Sequence, residues 1–248
     1  MILRRVIKHF REQEWTAIFL DFLIVVVGVF VGLQVQNWNE RRGDRAEYNR
    51  ALDRLDVEIS ANLAMLDALD PQVMHALQIV EQAFEILQSC IESEENHKTI
   101  EDSFDYLQST FGLHLQRNAL KDLTENPTLL AQQSTDERKR FAEMLFNFDF
   151  LQLESDFVEN QPFKMLMADI PVIGVGAKKN VSIEYYGLVF SNIQRRLFLK
   201  VPIDQACQNS QLIKKYYVWE VSQAEIPGLS KNFRQELEAT KALLAARQ

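Results

Sequence analysis

The sequence predicts an all-α protein in which an N-terminal transmembrane helix continues into an antiparallel helical bundle. Three observations favour this class. A run of 21 residues near the N-terminus is almost entirely apolar, and the chain after it repeats apolar residues every three or four positions. With 8 glycines and 6 prolines in 248 residues, the composition also excludes collagen and intrinsic disorder.

The apolar run, residues 15–35, is long enough to cross a bilayer, since it spans about 30 Å as a helix. Its Ile, Leu, Phe and Val side chains favour insertion by about 4–8 kcal/mol in total, against about 3 kcal/mol for Asp21. A cleaved signal peptide is the alternative, but no small-residue cleavage site follows the run. We therefore predict a basic amphipathic segment at 1–14, a transmembrane helix at 15–38 and a helical bundle at 39–248.

Both ends of the predicted span carry residues that anchor helices at membrane surfaces. Trp15 and Trp38 bracket the apolar run. The bases that precede it are Arg4, Arg5, Lys8 and Arg11, and those that follow it are Arg41, Arg42 and Arg45. Because similar numbers of bases lie on both sides of the span, the positive-inside rule gives almost no preference for either orientation. The acidic character of the following domain and the amphipathic pattern of residues 3–11 favour a cytoplasmic N-terminus.

A polar and small-residue stripe runs along one side of the predicted span. At 100° per residue it contains Asp21, Gly28, Gly32, Gln36 and Asn39. The Gly-x-x-x-Gly spacing lets a second backbone approach closely, and an ionisable group inside a membrane normally faces protein. We predict a helix–helix interface, either with a second copy or with another membrane subunit. In the alternative interpretation, Asp21 is solvated by a headgroup defect and the glycines are incidental.

The end of the apolar run also carries a recognisable signature. The sequence LQVQNWNERR at 33–42 follows a glycine-containing helix with an early acidic residue. It resembles an uncharacterised bacterial family of single-pass membrane proteins, of the kind called domain of unknown function 6090. The resemblance covers residues 15–42 and rests on Leu33, Gln34, Asn37, Trp38, Asn39 and Glu40. The resemblance implies a single-pass bacterial membrane topology and no assigned activity. The cytoplasmic N-terminus predicted above would place the domain at 39–248 in the periplasm of an inner-membrane protein.

Helix boundaries can be proposed for the rest of the chain. Asp70-Pro71 is expected to end the first long helix and start a second, and the polar residues 93–98 to form a loop. Capping boxes are predicted at Thr99–Asp102 and Ser134–Glu137, and Pro162 is expected to end or kink a helix. Residues 170–180 are interpreted as a linker. The next helix is predicted from the spacing of Ile183, Tyr186, Phe190, Ile193 and Leu197.

Few residues suggest chemistry. After position 54 the chain has 18 basic and 28 acidic residues, which disfavours nucleic-acid binding. No metal-ligand spacing, nucleophile elbow or complete glycine-rich loop is present, so no catalytic residue, cofactor or metal is predicted. Cys90 and Cys207 are the two cysteines, and they form either a disulfide in an oxidising compartment or two buried thiols.

The sequence thus favours a non-enzymatic, single-pass inner-membrane accessory or scaffold subunit. Its expected partners are membrane lipid and other membrane subunits or itself, and its stripe and bundle are expected to make the contacts. A ligand-sensing extracytoplasmic module is the alternative, and it requires a concave pocket with converging polar groups. An enzyme is the third possibility, with no motif in its favour.

Overall fold

The computed structural model describes residues 15–185 and 188–247. These residues are mostly helical, which confirms the predicted fold class, and a small two-stranded sheet is added to the helices. In chain order the elements are α1 (Trp15–Ser89), α2 (Glu94–Leu107), α3 (Asn118–Glu125), α4 (Pro127–Gln132), α5 (Thr135–Asn160), β1 (Ile173–Tyr185), β2 (Leu188–Leu199), α6 (Ile203–Ala206), α7 (Ser210–Gln223) and α8 (Ile226–Ala245). Two 3-10 turns, Gln161–Lys164 and Met167–Asp169, connect α5 to β1.

The first helix is continuous over 75 residues, which makes it about 110 Å long. Its N-terminal part stands clear of the bundle: side chains from 18 to 47 are exposed or half-buried, and the first fully buried one belongs to Tyr48. Beyond that point α1 forms one wall of the core with residues three or four positions apart, among them Leu55, Ile59, Leu66 and Val73. We call residues 18–47 the bare half of α1 and residues 48–89 its packed half.

The predicted helix break at Asp70-Pro71 is wrong, because α1 runs through it. Proline removes one helical hydrogen bond, but tertiary contacts hold this turn in place. Asp70 accepts hydrogen bonds from the Ser230 hydroxyl at 2.6 Å and from Arg234 Nη2 at 3.2 Å, and both donors lie on α8. Packing of Leu69 against the core completes the support.

The bundle contains two hydrophobic clusters stacked along α1. The proximal cluster, nearer the bare half, joins α1 to α3, α4, α5 and α8. The distal cluster joins the C-terminal part of α1 to α2, the base of the hairpin, α6 and α7. Trp219 and Phe104 lie fully buried in the distal cluster, and Phe148 meets Phe233 edge to face at 5.0 Å in the proximal one. Both clusters therefore pack on the same long helix.

The predicted helix through residues 183–197 is wrong, as is the linker at 170–180. Strands β1 and β2 pair antiparallel there, from Ile173 opposite Leu199 to Tyr185 opposite Leu188. Apolar residues at these spacings fit a helix face, but the segment also alternates apolar and polar residues, and alternation is typical of a strand. The ring of Phe198 on β2 lies directly over Gly174 in β1, where a Cβ would overlap it unless the ring moved. Residues 186 and 187 of the predicted helix lie outside the described residues.

Three smaller boundary predictions have different outcomes. Residues 93–98 are not a loop: Ser93 caps α2, its hydroxyl accepting from the Asn96 N–H at 3.0 Å, so the capping box expected at Thr99 is wrong. The box at Ser134–Glu137 is confirmed, with both reciprocal hydrogen bonds present. The end of α5 before Pro162 is also confirmed.

Candidate functional site

The predicted helix–helix stripe lies on the bare half of α1. Its five members, Asp21, Gly28, Gly32, Gln36 and Asn39, are all exposed. A Cβ added at Gly28 or Gly32 would meet no atom within 4 Å, so the backbone is open to a neighbour there. At the end of the stripe, Gln36 Nε2 donates to the Glu40 carboxylate at 2.9 Å. The stripe is thus a continuous surface that makes no contact with the bundle.

The stripe points away from the bundle. Tyr48 and Leu55 mark the side of α1 that faces the core. By helix periodicity, Asp21 and Gly28 lie about 160–180° around the axis from Tyr48. A second helix can therefore approach the stripe without meeting the bundle of the same chain.

The rest of the span is uniformly apolar and exposed. Among the described residues, α1 is the one helix that is long and apolar enough to cross a membrane, and its apolar window has none of its residues buried. At the end of this window Trp38 is 61% exposed, and the Arg42 guanidinium lies 5.7 Å from its ring centroid. Trp15 is placed in the helix, and its side chain is outside the described part. The predicted anchors Arg4, Arg5, Lys8 and Arg11 also lie outside the described residues.

A network of charged and polar contacts joins α1, around Arg45 and Tyr48, to the end of α4, the start of α5 and Arg247 near the C-terminus. Arg45 Nη1 donates to the Gln132 carbonyl at 3.2 Å, and Arg247 Nη1 lies 3.1 Å from Glu137 Oε1. Burial raises the pKa of Tyr48 to about 12, and the negative charge of Glu137 acts in the same direction. Burial also opposes ionisation of Glu137, but its hydrogen bonds from Ser134 and the charge of Arg247 lower its pKa on balance.

This network predicts a pH-dependent contribution to stability. A carboxylate with a depressed pKa in the folded state stabilises the fold above its ordinary value, here 4.5, and the contribution is lost as the pH falls through the folded value. Glu137→Gln keeps a side chain that can cap the Ser134 N–H and removes the negative charge at the start of α5, so it should lower the free energy of unfolding by about 0.5–1 kcal/mol at pH 7. The difference should shrink below pH 4.5 in thermal melts. Asp136→Asn, at an exposed neighbouring position, is the control, and a pH-independent deficit for Glu137→Gln would contradict the assignment.

The two cysteines are joined. Cys90 lies just after α1 and Cys207 just after α6, and their Cα atoms are 5.7 Å apart. Cys90 has a φ of 54°, a left-handed conformation uncommon for residues other than glycine. Of the two alternatives left open by the sequence, the structure thus contains the disulfide, which ties the end of the long helix to the distal cluster.

Sequence reasoning missed a second exposed surface, on α5. Phe146, Phe150, Leu153 and Phe157 are 55–73% exposed and form one face of this helix. The opposite face, including Phe141, Phe148 and Leu151, is buried in the proximal cluster. A signal was present, because apolar residues occur at helical spacing on two opposite sides of the same segment. The four exposed residues are called the α5 outer face below.

One group of side chains has ligand types suited to a divalent cation. His114, Asp156 and Glu159 each offer one ligand atom, and these atoms lie within 4.8 Å of one another. His114 Nε2 is 3.2 Å from Glu159 Oε2, and a Cβ at Gly112 would overlap the Glu159 carboxylate. His114 and Asp156 are exposed, so the arrangement works equally well as a surface ion pair when the imidazole is protonated.

A buried lysine on α7 holds two parts of the bundle together. Lys215 Nζ on α7 donates to the carbonyls of Pro162 at 2.7 Å and Met165 at 2.9 Å. Burial lowers the pKa of this ammonium to about 8. Both acceptors belong to the main chain after α5, so Lys215 fastens α7 to this segment. Its neighbour Tyr216 is buried against Ser103, with the two hydroxyl oxygens 2.5 Å apart.

Comparison with known proteins adds no family to this description. No protein-family model matches the chain, and no curated protein or solved structure is significantly similar to it. The fold and the exposed surfaces define the class of protein: a helical bundle built on a long helix whose free half is apolar enough to span a bilayer.

Proposed function

We propose that the protein is a non-enzymatic accessory or scaffold subunit of the bacterial inner membrane, which assembles through α1 and its bundle. The observation that carries this proposal is the bare apolar half of α1. Soluble monomers rarely expose apolar patches of more than a few hundred Å², and this rod exposes large side chains on every side, from Phe19 to Trp38. Lipid is the environment that would cover them. The signature at 33–42, which resembles a family of single-pass proteins, supports the same topology.

The proposed orientation places the N-terminus in the cytoplasm and the bundle in the periplasm. A Cys90–Cys207 disulfide supports this orientation, because disulfides persist in the bacterial periplasm and are rare in the cytosol. The interfacial position of Trp38 and the bases after it fits a membrane surface just below the bundle. About ten residues of α1, roughly 15 Å, then separate Trp38 from the first core residue, Tyr48.

Assembly is proposed to use the stripe from Asp21 to Asn39. Small residues permit close helix packing in lipid, and Asp21 would be shielded from acyl chains by a neighbouring helix. Because the stripe faces away from the bundle, two copies can meet along α1 without a clash between their bundles. The mechanism is one of positioning: the membrane contact would fix neighbours side by side and hold their bundles at a set height above the bilayer.

The mass of the complex tests this proposal. The protein is extracted from native membranes in a mild detergent, and its mass is measured by light scattering coupled to size exclusion. We expect wild type to exceed the monomer mass, and Asp21→Leu combined with Gly28→Ile to shift most of the protein to smaller species. Removing Asp21 favours insertion by up to about 3 kcal/mol, so failure to insert would not explain the loss.

Matched controls come from the opposite side of the same helix. Phe19→Leu and Phe30→Leu lie about 160–180° from Asp21 and should leave the mass unchanged. A monomeric wild type would contradict assembly through α1. An equal effect of the stripe and control substitutions would contradict the choice of face.

A further inference from the structure

The α5 outer face is an apolar surface that the bundle does not cover. Its four members are exposed by 73% at Phe146, 55% at Phe150, 66% at Leu153 and 59% at Phe157. With an aromatic side chain contributing about 200 Å², they expose about 500 Å² together. Such a patch is at the upper end of what monomers carry, and contiguous patches of this size mark interaction sites.

The spacing of the α5 outer face fits a helix as its occupant. The intervals of four, three and four residues are those of a coiled-coil seam, in which successive apolar side chains face a partner helix. The α5 helix already uses its other side in the proximal cluster, where it packs on α8 and α3. It therefore has two apolar sides about 180° apart, and the outer one has the geometry of an unfilled helix–helix contact.

The position of the face on the bundle argues against lipid as its cover. The N-terminal end of α5 lies beside Arg247 and near Arg45, at the end of the bundle closest to the bare half of α1. From Thr135, α5 runs away from that end, so Phe146 lies about 16 Å and Phe157 about 33 Å further out. The α5 outer face therefore lies too far from the membrane to be covered by lipid, which leaves another protein as the partner that covers it.

The charged residues beside the apolar seam indicate which charges a partner helix should carry. Asp149 and Asp156 flank one edge of the seam and Glu154 flanks the other, at the positions that face a partner's flanks in a two-helix coiled coil. A second copy of α5 would set these acids against each other in either orientation. Arg117 contacts Asp149, and Lys164 Nζ lies 5.9 Å from the ring centroid of Phe157. These two cations offset part of the negative charge, and three acids against two bases leave the borders of the seam acidic. Lysine or arginine at the partner's flanks would complement it.

We propose that the α5 outer face docks an amphipathic helix of a partner protein, with an apolar seam and basic flanks. This contact goes beyond the proposed membrane assembly: it lies on the opposite side of the bundle, since α5 packs on α8 and α3, which in turn pack on α1. The protein would then hold its own neighbours in the membrane through α1 and a different, basic subunit through α5.

The test uses a synthetic helical probe. A labelled peptide of about 20 residues, with leucine at seam spacing and lysine elsewhere, is titrated against the full-length protein in nanodiscs of zwitterionic lipid. Empty nanodiscs provide the blank, and a second peptide carries glutamate in place of lysine. Fluorescence anisotropy should give micromolar affinity for the lysine peptide and at least about tenfold weaker binding of the glutamate peptide.

Substitutions separate seam contact from simple charge attraction. Phe150→Asp with Leu153→Asp makes the face more acidic, so attraction by charge alone would strengthen, whereas loss of the seam should weaken binding about tenfold or more. Val57→Asp, at a 68% exposed apolar position on α1, should change the affinity less than about twofold. Equal or tighter binding by the α5 variant would overturn the proposal. So would a fall in its oligomer mass, because that result would assign the face to a second copy.

Discussion

Breaking the Cys90–Cys207 disulfide is expected to lower the Tm by about 10 °C. The bond closes a loop with a sequence separation of 117 residues, and a loop of this length restricts the unfolded chain by about 4–5 kcal/mol in the chain-entropy model. Each kcal/mol corresponds to about 2–4 °C in a domain of this size. The bond also joins the end of α1 to the segment before α7, so its loss frees two parts of the distal cluster together. Differential scanning calorimetry with and without dithiothreitol measures the shift.

The Cys90→Ala and Cys207→Ala double variant is the control for reduction itself. It should melt near the reduced wild type and should not respond to dithiothreitol. Because Cys90 has a positive φ, Cys90→Gly in place of Cys90→Ala should recover part of the lost stability, about 1 kcal/mol. A wild-type Tm that does not change on reduction would contradict a stabilising disulfide.

Trp219→Ala is expected to destabilise the bundle by about 3–5 kcal/mol, enough to lower the Tm by about 10 °C. Trp219 is the largest fully buried side chain among the described residues and lies in the distal cluster. Its indole N–H donates to the Ser109 carbonyl at 2.8 Å, so truncation leaves a cavity and removes the donor to that carbonyl. Chemical denaturation followed by far-UV circular dichroism gives the free energy of unfolding.

Tyr217→Ala provides a matched control two residues away on the same helix. Tyr217 is 57% exposed, and its truncation should change the free energy of unfolding by about 0.5 kcal/mol or less. Trp219→Phe should fall between the two, because it keeps much of the ring packing and loses the hydrogen bond. If Tyr217→Ala and Trp219→Ala lowered the free energy of unfolding by similar amounts, the result would contradict the burial of Trp219 in the distal cluster.

Long-period patterns in the sequence predicted the main architecture. The apolar run and the continuing leucine spacing indicated α1 and the bundle, because both signals are local and span many turns. The predicted break at Pro71 is wrong because a proline ordinarily ends a helix, whereas the contacts from Ser230 and Arg234 that hold this turn come from 160 or more residues away. No local pattern contains that information.

The hairpin and the α5 outer face were missed for a different reason. In β1 and β2 the same apolar residues satisfy both helical and alternating spacing, and the decisive contact, Phe198 over Gly174, is a pairing between strands. In α5 the spacing of apolar residues shows that a face is apolar and cannot show whether a neighbour covers it. The stripe at Asp21–Asn39 was predictable as a surface, and its partner stays a prediction.

Cysteine cross-linking in native membranes tests the central claim most directly. Both native cysteines are bonded to each other, so a single introduced cysteine reports on its own position. If α1 crosses the bilayer and meets a second copy along the stripe, copper-phenanthroline oxidation should give strong dimer bands for Gly28→Cys and Gly32→Cys and weak bands for Phe19→Cys and Phe30→Cys. Equal cross-linking at all four positions, or none at either glycine, would contradict the account.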